Sequence, residues 1–115
     1  MDERLEKALE FSNYTVTLNN QKRLLKERYD ENIIYYYGGG QFRATEQRIT
    51  FVKMLVDSGN TEAVLIDDNG TPIEIDDTDS FLMEIMDLYF GASNEYLAGY
   101  NEIRKNRSVK GIVEL

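Results

Sequence analysis

The chain has 115 residues, of which 42% are hydrophobic, 13 are basic and 21 are acidic, giving a net charge of −8. This length and apolar content predict one folded domain over residues 1–115 and exclude a disordered tail. Because Cys and His are absent, the sequence excludes disulfides, zinc–thiolate sites, thiol catalysis and a histidine general base.

The first predicted element is a helix over residues 3–37. Its segment NYTVTL, residues 13–18, alternates with period two as a strand does, but helical spacing continues on both sides of it. The apolar positions recur mostly at three- and four-residue steps, at Leu5, Leu9, Phe11, Tyr14, Leu18, Leu25, Tyr29, Ile33 and Tyr36.

Three glycines, Gly38 to Gly40, follow the run IIYYY. We interpret them as the end of the helix, because glycine adopts a positive φ just past a helix C-terminus without steric cost. A phosphate-binding loop is disfavoured, since its glycines precede a helix and a Walker motif also requires a Lys. Tyr35 and Tyr37, beside the glycines, are candidate contact residues because Tyr is enriched at interfaces.

A short strand is predicted over residues 41–44 and a second helix over residues 46–58. Thr45 is a favourable N-cap for this helix. The spacing predicts a buried face of Ile49, Val52, Leu55 and Val56, widened by Phe51 and Met54.

Residues 63–75, AVLIDDNGTPIEI, predict a β-hairpin. Two β-rich runs flank Asp68-Asn69-Gly70, and Asn-Gly between such runs marks a tight turn. Pro72 lacks an N–H group, so we expect it where the strand ladder needs no donor.

The last predicted helix spans residues 78–107 and is followed by an apolar tail, residues 108–115, that docks as a strand or stays loose. Asp76 to Asp79 provide cap and first-turn residues that suit the positive end of the helix dipole. Its apolar face is broad, with one stripe at Phe81, Ile85, Leu88, Ala92, Gly99 and Ile103 and a second at Leu82, Met86, Tyr89, Tyr96 and Tyr100.

These elements predict an α+β fold. Two long helices, the first and the last, pack antiparallel and are joined by one short helix and a small antiparallel sheet that contains the hairpin. A broad apolar face on long helices requires a partner, which is often a second copy of the same chain.

The acidic residues of the hairpin region are the only group with a catalytic or metal-binding character. Carboxylates suit Mg²⁺, and the candidates for such a site are Asp67, Asp68 and Asp76. Turn and helix-cap positions account for these residue types without any ligand. We therefore predict no catalytic residue, no cofactor and no metal, and a Mg²⁺-dependent enzyme stays the second alternative.

Charge is distributed unevenly along the chain. Residues 54–103 contain twelve acidic residues and no basic one, which disfavours direct binding of nucleic acid. A basic C-terminal patch then follows, and cations there also complement a helix dipole. Its members are Arg104, Lys105, Arg107 and Lys110.

Three segments, LEKALEFSNYTVTLNNQKRLLKERYD, VLIDDNGTPIEIDD and NEYLAGYNEIRKNRSV, resemble small uncharacterised proteins of T-even-type tailed phages that infect marine cyanobacteria. The resemblance covers most of the chain and includes no diagnostic motif. It implies a phage-encoded accessory protein rather than a metabolic enzyme of the host.

The function expected from the sequence is that of a non-enzymatic phage accessory or assembly protein that acts through protein–protein contacts, as a homo-oligomer or with another phage or host protein. The alternative is an accessory factor for nucleic-acid transactions that acts through a protein partner or by weak single-strand binding. With a charged start and no apolar run of about 20 residues, we expect no membrane contact and a location in the cytoplasm of the infected cell. The candidate contact residues are Tyr35, Tyr37, Phe90, Tyr96 and Tyr100, and a place in the core is the alternative for each, because a broad apolar helix face is more often core than interface.

Overall fold

A computed structural model describes the backbone of residues 2–114 and the side chains of residues 2–106. Over this range the chain has long first and last helices, one short helix and two antiparallel two-stranded sheets, which confirms the predicted α+β class. The elements are α1 (Glu3–Asn32), β1 (Ile34–Tyr37), β2 (Gly40–Arg43), α2 (Glu46–Asp57), β3 (Ala63–Ile66), β4 (Pro72–Ile75) and α3 (Thr78–Glu114).

The chain divides into two compact units. The α/β unit is the continuous segment 29–94, and the helix-pair unit combines residues 1–28 with residues 95–115. The α/β unit contains three basic and thirteen acidic residues, for a net charge of −10, whereas the helix-pair unit contains ten basic and eight acidic residues, for +2. Charge is therefore segregated between the units.

The predicted end of the first helix at residue 37 is wrong. The helix ends at Asn32, and Ile34–Tyr37 forms strand β1, which pairs antiparallel with β2. Gly38 and Gly39 have φ values of 57° and 82° and form a two-residue turn between Tyr37 and Gly40. Two successive positive φ values are typical of a type I′ hairpin turn, so these glycines reverse a strand instead of ending a helix.

The strand alternation changes the environment of the three tyrosines. Tyr36 is 71% exposed, although helical spacing had placed it on the buried face. Tyr35 and Tyr37 point to the other side of the sheet, where their ring centroids lie 5.3 and 5.7 Å from that of Phe81. Successive side chains on a strand face opposite sides of the sheet. Because this segment is a strand and not a helix, Tyr36 is exposed, and Tyr35 and Tyr37 face the core.

Helix α2 begins as predicted, with the Arg48 N–H donating to the Thr45 hydroxyl oxygen at 3.2 Å. Val52 is fully buried. Phe51 and Met54, however, are 49% and 53% exposed, so they do not widen the buried face. The face that packs on the core is narrower than predicted and consists of Val52 with the partly buried Ile49, Leu55 and Val56.

The predicted hairpin over residues 63–75 is confirmed. Strands β3 and β4 pair antiparallel, with Leu65 opposite Ile73 and Ile66 opposite Pro72, and Gly70 has a φ of 83° in the turn. The Asp67 N–H donates to the Thr71 carbonyl oxygen, which places Pro72 at a position where the ladder needs no donor. The prediction for Pro72 is therefore also confirmed.

The core of the α/β unit joins both hairpins, α2 and the first half of α3. Phe42, Phe81 and Ile85 are almost completely buried at its centre, and the Phe42 and Phe81 rings meet edge to face at 5.1 Å. The buried cluster comprises Ile33, Phe42, Ala44, Val52, Leu65, Ile73, Ile75, Phe81, Leu82, Ile85 and Ala92.

Helix α3 is longer than predicted. It begins at Thr78, where the Ser80 N–H donates to the Asp77 carboxylate at 3.1 Å, and its backbone continues to Glu114. The predicted tail over residues 108–115 is therefore wrong through residue 114, since the backbone there is helical. The side chains of residues 107–115 lie outside the described range.

The helix-pair unit is formed by most of α1 and the later part of α3, which run antiparallel. Arg28 forms a 3.9 Å ion pair with Glu95, and Leu25, one turn earlier in α1, packs against Gly99, one turn later in α3. A Cβ atom on Gly99 would lie 2.5 Å from Leu25 Cδ1, so the missing side chain permits close approach of the helices. Gly91, by contrast, faces open space.

Candidate interaction surfaces

The predicted contact residues fall into two environments. Tyr35 and Tyr37 are half-buried and pack against the core of the α/β unit through Phe81. Burial raises the pKa of the Tyr35 phenol, with a smaller contribution from the Glu84 carboxylate. Their rings belong to the core, and Tyr36 is the member of the run that reaches solvent.

The other three candidates lie on α3. Phe90 is exposed and contacts Tyr89, whose hydroxyl donates to Glu46 at 2.8 Å. In the helix-pair unit the rings of Tyr96 and Tyr100 stack at 6.5 Å, with Tyr96 half-buried and Tyr100 exposed. A contact role for these side chains stays a prediction.

The helix-pair unit has little core of its own. Among the residues whose side chains are described, Leu18 and Ile103 are its only buried hydrophobic residues. Seven large hydrophobic side chains of this unit are 40–63% exposed: Leu5, Leu9, Phe11, Val16, Leu24, Leu97 and Tyr100.

Part of this exposed set forms a stripe on α1. At about 100° per residue, Leu5, Leu9 and Val16 project within about 40° of one another. Leu25, which packs against Gly99 of α3, and the buried Leu18 project about 160–180° away from that direction. The α1 stripe, meaning Leu5, Leu9 and Val16, thus lies on the side of the helix opposite its partner helix.

The α/β unit has an apolar groove between β3 and the start of α2. Its volume is about 420 Å³, and its apolar walls include Phe51, Val64 and Ile66. Val64 and Ile66 are 61% and 57% exposed, while Leu65 between them is buried in the core. All residues of β3 are apolar, so this strand presents hydrophobic side chains on both faces of its sheet.

The backbone of β3 is open along this groove. Because Asp67 bonds to Thr71, the hydrogen-bonded pairs of the ladder fall at residues 63, 65 and 67. The N–H and C=O groups of Val64 and Ile66 therefore point away from β4. Within the described part of the chain, no hydrogen bond occupies these four groups.

Arg48 lines the groove. Its Nη2 lies 2.9 Å from the Asp68 carboxylate, its Nε donates to the Arg43 carbonyl oxygen at 3.0 Å, and its guanidinium lies over the Phe42 ring at 5.1 Å. These contacts fix the position of the side chain and neutralise its charge locally.

Two of the three metal-ligand candidates, Asp67 and Asp68, have other roles. The Asp67 carboxylate accepts hydrogen bonds from the backbone N–H groups of Gln41, Asn69 and Thr71, which lower its pKa, and Asp68 pairs with Arg48. Asp76 is exposed. No group of three acidic side chains that could hold a metal ion occurs among the described residues. The geometry therefore supports the turn role of Asp67.

The basic C-terminal patch is described only in part. Arg104 and Lys105 are exposed on α3 in the helix-pair unit. The side chains of Arg107 and Lys110 lie outside the described range, so a nucleic-acid role for the four residues stays a prediction.

The groove was missed from the sequence, although a signal for it exists. A strand with apolar residues at every position, as in AVLI, is typical of strands covered on both faces. The hairpin turn was recognised there, but the uncovered face and edge follow only from the tertiary structure.

The chain matches no protein-family profile, and no curated protein or solved structure is similar to it at a significant level. No helix in the described range combines the length and apolar character that crossing a membrane requires.

Proposed function

We propose that the chain is a non-enzymatic accessory or assembly protein that acts through protein–protein contacts and self-associates through its helix-pair unit. The resemblance noted in its sequence supports a phage origin for this role. The observation that carries the proposal is the α1 stripe, three large apolar side chains on the face of α1 that points away from its partner helix.

An isolated pair of helices with so few buried side chains gains little from packing. Burial of a Leu or Val side chain stabilises a structure by about 1.5–3 kcal/mol, so exposure of Leu5, Leu9 and Val16 leaves several kcal/mol unused. A second copy can cover the stripe with its own, because helical hairpins combine into four-helix bundles with their apolar faces inside.

Light scattering on a sizing column tests this proposal. We expect the full chain to elute at about twice its 13.4 kDa mass, without dependence on salt, because the contact is apolar. Replacing the stripe by serine, in Leu5→Ser with Leu9→Ser and Val16→Ser, should yield a monomer.

The matched control is Leu97→Ser, which removes an equally exposed leucine of the same unit outside the stripe. This variant should remain a dimer. A monomeric wild-type chain, or a dimer that the triple substitution leaves intact, would overturn the assignment to the α1 stripe.

A further inference from the structure

We propose that the open edge of β3 binds an extended segment of a partner protein as an added strand, and that this segment is apolar at its centre and basic at its ends. The site lies entirely within the α/β unit, so it does not depend on self-association through the helix-pair unit.

The edge has the groups that strand addition requires. Val64 and Ile66 direct two N–H donors and two C=O acceptors into the groove, enough for four main-chain hydrogen bonds to an incoming strand. The groove beside them, at about 420 Å³, falls within the range of sites that hold ligands. Phe51 on its far wall offers apolar contact to alternate side chains of that strand.

A second copy of β3 is a poor occupant because of its flanking charges. If two copies paired antiparallel about Leu65, Val64 would lie opposite Ile66 of the second copy, and Glu62 would lie opposite Asp68, whose carboxylate pairs with Arg48 and whose N–H already bonds to the Gln41 carbonyl oxygen. In a parallel pair, Glu62 would instead lie beside its own counterpart. Like charges at opposed positions destabilise a sheet, so β3 disfavours itself.

The unpaired carboxylates beside β3 favour a basic partner. Two of the three cations of the α/β unit are engaged in ion pairs, Arg48 with Asp68 and Lys53 with Asp57, both at 2.9 Å, and the third is Arg43. Glu74, directly across from Val64 on the exposed face, has no basic partner among the described side chains, and neither has Glu62. With a net charge of −10 on the unit, the local field attracts positive residues and repels acidic ones.

A synthetic peptide, acetyl-Lys-Thr-Val-Leu-Val-Thr-Lys-amide, provides the probe, and its charge pattern is the same in either strand direction. The control peptide carries Glu at both ends and is otherwise identical. Calorimetry should give at least about tenfold tighter binding for the Lys peptide, with the difference reduced at high salt. Equal binding of the two peptides would refute the charge selection.

Amide hydrogen exchange by NMR locates the contact. Addition of the Lys peptide should slow exchange at the amides of Val64 and Ile66, while Leu65, already bonded to β4, should change little. Unchanged exchange at both edge amides would overturn strand addition. If exchange at these two amides instead became slower at higher protein concentration without peptide, the edge would bind a second copy of the chain.

Two substitutions separate binding from folding. Ile66→Pro removes an outward N–H but none of the bonds to β4, and should abolish binding with little change in thermal midpoint. If that variant unfolds, Phe51→Ala should weaken binding several-fold, whereas Met54→Ala, equally exposed on α2 but outside the groove, should not. Wild-type affinity in Phe51→Ala would contradict the proposed site.

The serine triple variant of the α1 stripe distinguishes this inference from the proposed self-association. It should bind the Lys peptide with wild-type affinity even as a monomer. Loss of binding in that variant would mean that the groove depends on the dimer.

Discussion

The two units expose similar amounts of apolar side chain but differ sharply in what they bury. Among the described residues each unit has seven exposed large hydrophobic side chains, yet the α/β unit buries eleven hydrophobic residues and the helix-pair unit two. The buried residues determine most of the stability, since burial and close packing are the main favourable contributions to the free energy of folding. The α/β unit therefore holds most of the buried core of the described residues, and the helix-pair unit holds little of it.

The largest expected effect lies in the core of the α/β unit. Phe42→Ala should lower the free energy of unfolding by about 3–5 kcal/mol, because it removes a fully buried ring packed against Phe81. Phe11→Ala in the helix-pair unit removes an exposed ring and should change the free energy of unfolding by less than about 0.5 kcal/mol.

Urea unfolding followed by circular dichroism measures both variants. Comparable losses in the two would contradict the contrast between the units, since they would require a core around Phe11 as well.

A pair of glycines on α3 gives an effect of intermediate size. Gly91→Ala, in the α/β unit, adds a Cβ atom in open space and should stabilise the helix by about 0.5–1 kcal/mol. Gly99→Ala gains the same helix propensity but forces Leu25 to move, so we expect no net stabilisation.

Thermal unfolding of the two alanine variants provides the comparison. An equal rise in midpoint for both would mean that α1 and α3 do not approach closely at Gly99.

The smallest expected effect is a change in stability at acid pH. Backbone N–H groups, first that of Gln41 and then that of Thr71, hold the pKa of Asp67 below its ordinary value of 3.8. The folded state then binds fewer protons than the unfolded chain. The contribution of Asp67 is therefore fully present above about pH 5 and is lost as the pH falls through its folded pKa.

Asp67→Asn should remove that part of the acid sensitivity, which thermal midpoints at pH 6 and pH 3 would record. The control is Asp87→Asn, an exposed carboxylate of α3 with no hydrogen-bond partner among the described residues. An acid response identical in the wild type and Asp67→Asn would exclude the proposed role of these hydrogen bonds.

Local signals in the sequence were sufficient for much of the fold. The cap at Thr45, the Asn69-Gly70 turn and the acidic start of α3 each depend on a few neighbouring residues, and each lies where it was expected. Such features are set by backbone chemistry within one turn of the chain, which a sequence displays directly.

Strand β1 was missed because two periods coincide there. Tyr29, Ile33 and Tyr36 continue the helical spacing, yet IIYYY followed by Gly-Gly equally fits a strand and a tight turn. Pairing with Gln41–Arg43 decides between them. The open edge of β3 could not be predicted either, because the sequence does not show whether another strand pairs with that edge.

The division of the chain also implies an order of assembly. Both hairpins join neighbouring residues, so the α/β unit can close through short loops, which form within microseconds. The helix-pair unit must bring Leu25 to Gly99 across the whole intervening segment, and loops of that length close later and at greater entropic cost. The helix pair then forms last, on chains whose α/β unit has already folded.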